Sequence, residues 1–97
     1  MTRDEVLEIL RGSRDELRRD FGVESLALFG SVARGSRRTN DIDVLVDIPS
    51  SISLFRLVAL QLRLQELLES PKVDVVLRDA IAPPLREAIL AEAISVA

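Results

Sequence analysis

Residues 28–47 read LFGSVARGSRRTNDIDVLVD. An apolar run stops at Gly30-Ser31, and a short polar loop carrying Arg34, Arg37 and Arg38 follows. A second apolar run then starts with Asp41 and Asp43, one residue apart. The pattern predicts a strand, a sharp turn and a second strand. Side chains alternate along a strand, so Asp41 and Asp43 share one face while Ile42, Val44 and Val46 point the other way, into a core. At ~3.3 Å per residue the two carboxylates stand roughly 6.6 Å apart along the strand. A hard cation fits between two such groups. Without one they repel, and one of them takes up a proton. A solvated strand edge with two exposed acids fits the same pattern. Asp47 is on the acidic face as well, but about 13 Å from Asp43 by the same rise, which makes it a strand-end residue rather than a ligand.

Asp74 adds a third acid. It lies inside VDVVL (73–77), where Val73, Val75 and Leu77 face a core and Asp74 faces away. If this strand neighbours the Asp41–Asp43 strand, three carboxylates converge on one surface; otherwise Asp74 is an exposed strand residue. Three acids with no histidine or cysteine favour Mg²⁺ or Mn²⁺ over zinc. Upstream, Gly30 at a strand-to-helix turn lets backbone come close to a ligand. The N–H groups that follow, with the Ser31 hydroxyl, can face an anion, and Arg34 comes one turn later. Ser31 as a plain helix cap fits equally.

Outward from this centre the chain alternates helices and strands. Thr2 to Glu5 reads as a capping box, followed by Val6, Ile9, Leu10, Ser13 and Leu17 at helical spacing. Gly12 weakens that helix by about 1 kcal/mol relative to Ala, and Gly22 ends it. Ser25 to Phe29 is a strand, Gly30 to Gly35 a turn into a short helical piece, and 36–40 a polar loop. Asp41 to Val46 is the second strand, with Pro49 ending it. Ser53 caps a helix running to about Glu69, whose apolar positions cover more than one stripe. That breadth suits a wide core face, or self- or partner association through this helix or the last one. Pro71 precedes the Val73–Leu77 strand. Pro83-Pro84 then opens a final helix with Leu85, Ala88, Ile89, Ala91 and Ile94 as its apolar positions. The order predicts one small α/β (α+β) domain over residues 1–97, a mixed sheet of three to four strands with helices packed mainly on one face.

Absences narrow the chemistry. The 97 residues contain no cysteine, histidine or tyrosine, and Lys72 is the only lysine. Disulfides, a thiol nucleophile and a histidine base are therefore excluded, and any general base is a carboxylate or Lys72. A net charge of −3 argues against a nucleic-acid binder held by phosphate neutralisation. No apolar run reaches the roughly 20 residues of a membrane span. The acidic, amphipathic start MTRDEVLEIL does not read as a signal peptide, and none is expected. A cytoplasmic protein is expected.

The ordered set FGSVARG, DIDVLVD and VDVV resembles the nucleotidyltransferase superfamily that includes DNA polymerase beta and the kanamycin nucleotidyltransferases. It is most similar to the minimal nucleotidyltransferases, the MNT-type antitoxins encoded beside HEPN-domain toxins. The likeness runs from the first helix to Ile94. Asn40 stands where the family often has Ser, and the gap from Ser31 to Asp41 is short for the family. The resemblance implies two-metal nucleotidyl transfer. Asp41 and Asp43 would hold the metals that carry the ATP phosphates. Asp74 would complete the metal site and help deprotonate the acceptor hydroxyl. Gly30 and Ser31 would bind the β/γ-phosphates, and Arg34, with Arg37 or Arg38, would offset their charge. In the antitoxin relatives the acceptor is a tyrosine of the partner toxin, which receives AMP. A chain without tyrosine suits a modifier acting on another protein. Two alternatives stand beside this one. The first is a binding module that neutralises its partner by occlusion. The second is a small-molecule modifier, less favoured because those enzymes carry an acceptor domain absent from these 97 residues.

Overall fold

The computed structural model describes residues 1–35 and 41–96. The predicted polar loop, with Arg37, Arg38 and Asn40, lies outside the described residues. Helix α1 spans Arg3–Phe21. Its capping box forms as expected: the Glu5 N–H donates to Thr2 Oγ1 at 3.3 Å, and the Thr2 N–H donates to Glu5 Oε1 at 3.1 Å. Gly22, at φ +73°, ends the helix and donates back to the Arg18 carbonyl. Strand β1 is Ser25–Phe29, the short helix α2 is Gly30–Ala33 and strand β2 is Ile42–Asp47. Helix α3 is Leu54–Leu68 and strand β3 Val73–Leu77. A 3₁₀ turn, Arg78–Ala80, leads to helix α4, Pro83–Glu92, and strand β4, Ile94–Ser95. Strand β2 thus starts one residue later than the sequence pattern suggests, leaving Asp41 just outside it.

The sheet order is β3-β2-β1-β4. Strand β1 runs antiparallel to both β2 and β4, while β2 and β3 are parallel. The fourth strand corrects the sequence reading of Ile94 as a residue of the last helix. Its spacing suits that helix, but Ala93 turns extended (φ −69°, ψ 141°) and Ile94 pairs with Leu28. The Val96 N–H then donates to the Leu26 carbonyl at 2.9 Å, and Val96 is buried. Pairing satisfies an edge of β1 that another turn of α4 would leave open.

One face of the sheet makes the main core. Leu26, Leu28, Ile42, Val44, Val46 and Val73 pack there against Leu10 and Leu17 of α1 and Leu60, Leu64 and Leu68 of α3. Arg63 of α3 joins the two helices by donating to both oxygens of Glu16, at 2.6 and 2.9 Å. That bond holds the Glu16 carboxyl below the usual carboxylate range. The breadth of α3 is resolved as well: Leu60 is inside, whereas Leu54, Phe55, Val58 and Leu62 are exposed. Helix α4 is the exception to the one-sided packing. Leu45 alternates onto the acidic face yet is only 4% exposed, and Leu90 and Ala93 border the same depression. Among the described residues no helix is long and apolar enough to cross a membrane.

Candidate active site

Strand register assembles the site. The antiparallel pairing sets Phe29 opposite Asp43, and the parallel pairing sets Asp43 opposite Asp74. Adjacent strands lie about 4.8 Å apart, so aligned residues on one face are immediate neighbours. The expectation that the Asp74 strand adjoins the Asp43 strand is therefore met. Directly after Phe29 the backbone turns at Gly30 with φ +77°. A Cβ at Gly30 would run into the Asp43 carboxylate oxygen. Glycine is thus needed twice here, for the left-handed backbone and for the space the Asp43 carboxylate occupies.

Electrostatics follow from this crowding. The Asp43 carboxyl is pushed above the usual carboxylate range, first by burial, then by the negative charge of Asp74 and a hydrogen bond with it, and then by Asp41. Arg34 pulls the other way. The negative charge of Asp74 and Asp41 beside a part-buried carboxyl is a repulsion that a bound cation would relieve. Asp41, exposed just before β2, is close enough to act on Asp43 through its charge. Among the described residues no three His, Cys, Asp or Glu side chains are gathered as a ready cage for a metal ion. What the fold preassembles is the pair Asp43–Asp74. Its all-oxygen donors and unrelieved repulsion suit a hard divalent cation.

A cleft of about 700 Å³ opens over the pair, lined in part by Phe29, Asp43, Asp74, Leu85 and Ile89. That is the size of a small-molecule site. Ser31 is half-buried in α2 beside Gly30, and Arg34 is exposed at the end of that helix. The sequence reading missed Glu92. Its Oε1 accepts from the Gly30 N–H at 3.3 Å, and its two oxygens lie 3.5 and 3.4 Å from Arg34 Nη1. The available signal was an acid in the last turn of a helix, where the macrodipole disfavours it and a cation elsewhere must compensate.

Residues 10–96 match the nucleotidyltransferase domain family. The chain belongs to that family. A protein adenylyltransferase of Thermococcus cleftensis, MntA, is 33% identical over 97 residues, covering 99% of this chain and 97% of its own. A solved structure described as a proposed minimal nucleotidyltransferase is 38% identical and superposes with a TM-score of 0.79, covering 97% of this chain and 95% of that one. The four-stranded mixed sheet with its helices is thus the minimal nucleotidyltransferase fold, and the expected family and enzyme class are borne out. The fold is shared more distantly, at 20% identity and a TM-score of 0.68, with a chain in the complex of a tri-AMPylated Shewanella oneidensis HEPN toxin and its MNT antitoxin. That match covers 94% of this nucleotidyltransferase and 71% of the other chain.

Proposed function

We propose that this nucleotidyltransferase moves AMP from ATP onto a hydroxyl of a partner protein, a tyrosine of a HEPN-domain toxin, and so acts as an antitoxin in the cytoplasm. The observation that carries the reading is the Asp43–Asp74 pair, aligned on neighbouring strands beside the Gly30 turn, with the Asp43 carboxyl held above its usual range. The adenylyltransferase relative and the HEPN–MNT complex support the substrate and partner. A chain with no tyrosine of its own is consistent with an acceptor elsewhere.

In this mechanism the Gly30 N–H, Ser31 and Arg34 hold the β- and γ-phosphates and stabilise the charge that builds on the leaving pyrophosphate. Asp41, Asp43 and Asp74 would hold Mg²⁺ or Mn²⁺, which when bound polarises phosphoryl oxygens and supports both the attacking and the leaving oxygen. Asp74, on the edge strand, takes the proton of the acceptor hydroxyl. The acceptor oxygen bonds to the α-phosphorus as the bond to the bridging oxygen breaks, and pyrophosphate departs. The exposed flank of α3, with Leu54, Phe55, Val58 and Leu62, favours the second reading, neutralisation by occlusion. One experiment separates the two. The chain is incubated with labelled ATP, Mg²⁺ and a HEPN-domain partner protein. Label should reach the partner and be lost in Asp41→Asn and Asp43→Asn. If those variants still neutralise the toxin as well as the parent chain, occlusion is the better account.

A further inference from the structure

Glu92 has no place in that mechanism, yet it occupies two of its groups. The Gly30 N–H and the Arg34 guanidinium, four residues apart, converge on one carboxylate supplied from 62 and 58 residues further along the chain. Nothing in α4 itself calls for an anion there: Glu92 is the helix's last residue, where a negative charge faces the negative end of the macrodipole. Asp41, Asp43 and Asp74 make the neighbourhood still more negative. The carboxylate therefore stays because Gly30 and Arg34 hold it.

We propose that Glu92 is an internal stand-in for the nucleotide's phosphates: its carboxylate holds the Gly30 N–H and Arg34 until a phosphate chain displaces it, and so it sets the affinity for the triphosphate. This rests on the reading of Gly30 and Arg34 as phosphate-binding groups. A carboxylate and a phosphate present the same chemistry to an N–H and a guanidinium, namely oxygen acceptors with negative charge. The contacts are built to be exchanged. Distances of 3.3–3.5 Å are long for charge-assisted bonds, and the side chains of Arg34 and Glu92 are 61% and 41% exposed. An exposed ion pair of this kind is weak. A triphosphate brings more charge and more acceptors to the same donors. Glu92 then swings into solvent, and its charge no longer opposes the ligand. The alternative is that Glu92 positions Arg34 for phosphate; that alternative requires the opposite response to its removal.

The test measures calorimetric binding of ATP, inorganic tripolyphosphate and adenosine to the parent chain, Glu92→Gln and Glu87→Gln. The Gly30 amide is followed by NMR. Glu87 is exposed on the same helix, so Glu87→Gln makes the same charge change away from the site. Glu92→Gln should tighten ATP and tripolyphosphate roughly two- to fivefold, the range expected from releasing an exposed ion pair. Adenosine affinity should not change, and Glu87→Gln should behave as the parent. The Gly30 amide should shift on Glu92→Gln alone, and shift again on adding tripolyphosphate. Unchanged or weaker polyphosphate binding in Glu92→Gln overturns the proposal. If Asp43→Asn still abolishes AMP transfer in that case, nucleotidyl transfer stands without it. Absence of ATP and tripolyphosphate binding in every form overturns both. Melting curves of each variant, with Glu92→Ala as a second substitution, establish that α4 is intact.

Discussion

Gly22 and Gly30 have nearly the same backbone angle, φ +73° and +77°, and opposite surroundings. A Cβ at Gly22 meets nothing within 4 Å, whereas one at Gly30 collides with the Asp43 carboxylate. The pair therefore separates backbone strain from steric exclusion. A left-handed conformation costs an L-residue roughly 1–2 kcal/mol, and Gly22→Ala should lose about 1 kcal/mol. Gly30→Ala pays the same conformational cost and must also drive the Asp43 side chain off its rotamer, at roughly 0.5–1.5 kcal/mol. Its total should reach about 1.5–2.5 kcal/mol. Removing the obstacle should remove the excess: in an Asp43→Ala background, Gly30→Ala should cost no more than Gly22→Ala. Urea unfolding at neutral pH, followed by far-UV circular dichroism, gives all the values, and the double-mutant cycle gives the Gly30–Asp43 coupling directly. A Gly30→Ala cost equal to that of Gly22→Ala, or equal in both backgrounds, refutes the contact. With it would go the argument that this glycine exists to seat a carboxylate.

Other expectations follow from the same geometry. The native Asp43 carboxyl binds its proton more tightly than it does in the unfolded chain, so stability is full below the unfolded pKa and falls as pH rises through the folded one. At neutral pH and without divalent metal, Asp43→Asn should therefore raise the melting temperature while lowering AMP transfer by about 10²-fold or more. The stability gain should vanish in acid and shrink when Mg²⁺ is added; a loss of stability at neutral pH contradicts the raised pKa. Glu5 behaves in the opposite sense. Its carboxyl is lowered by hydrogen bonds from the Thr2 backbone and side chain. Its support for α1 is present above the unfolded pKa and lost as pH falls through the folded one. Thr2→Ala should cost about 1 kcal/mol at neutral pH, and its deficit against the parent should narrow in an acid titration. Leu62, 54% exposed on α3, should tolerate Ser within about 0.5 kcal/mol, whereas Leu64→Ala, in the core, should cost about 2–5 kcal/mol. Parallel urea titrations check the contrast.

The centre of the fold was legible because its signals are short-range. Alternation in DIDVLVD separates the core set Ile42, Val44 and Val46 from Asp43, and the same alternation in VDVVL sets Asp74 apart from Val73 and Val75. The two strands need only be neighbours for the acids to align, and a parallel neighbour is what a strand–helix–strand order produces. The chain's last fifteen residues were less legible. Ile94 sits at a helical interval from Leu90 and also at a position where it can pair with Leu28, and only the unpaired edge of β1 decides between them. Leu45 reads as one more apolar residue until α4 is known to cover that face. Glu92 could not be paired with Gly30 by any local pattern, because the contact exists only once α4 has been laid across the second face.

The open site follows from how the core is closed. A parallel β2–β3 pair needs a crossover, and α3 provides it on the face that already holds α1. The large apolar residues of α1 and α3 thereby saturate one side of the sheet. Among the described residues the helix on the other side is the ten-residue α4, with Ile81 after the 3₁₀ turn beside it. Leu45 is covered, while the Asp43–Asp74 row is left to the cleft. A longer α4 could roof that row, but β1 draws Ile94 into the sheet, and the helix stops at Glu92. Because the helix ends there, its terminal carboxylate reaches Gly30 and Arg34. The strand that satisfies the edge of β1 thus also fixes where the anion on Gly30 and Arg34 comes from. An insertion of one residue between Glu92 and Ile94 should keep the core and lose that contact.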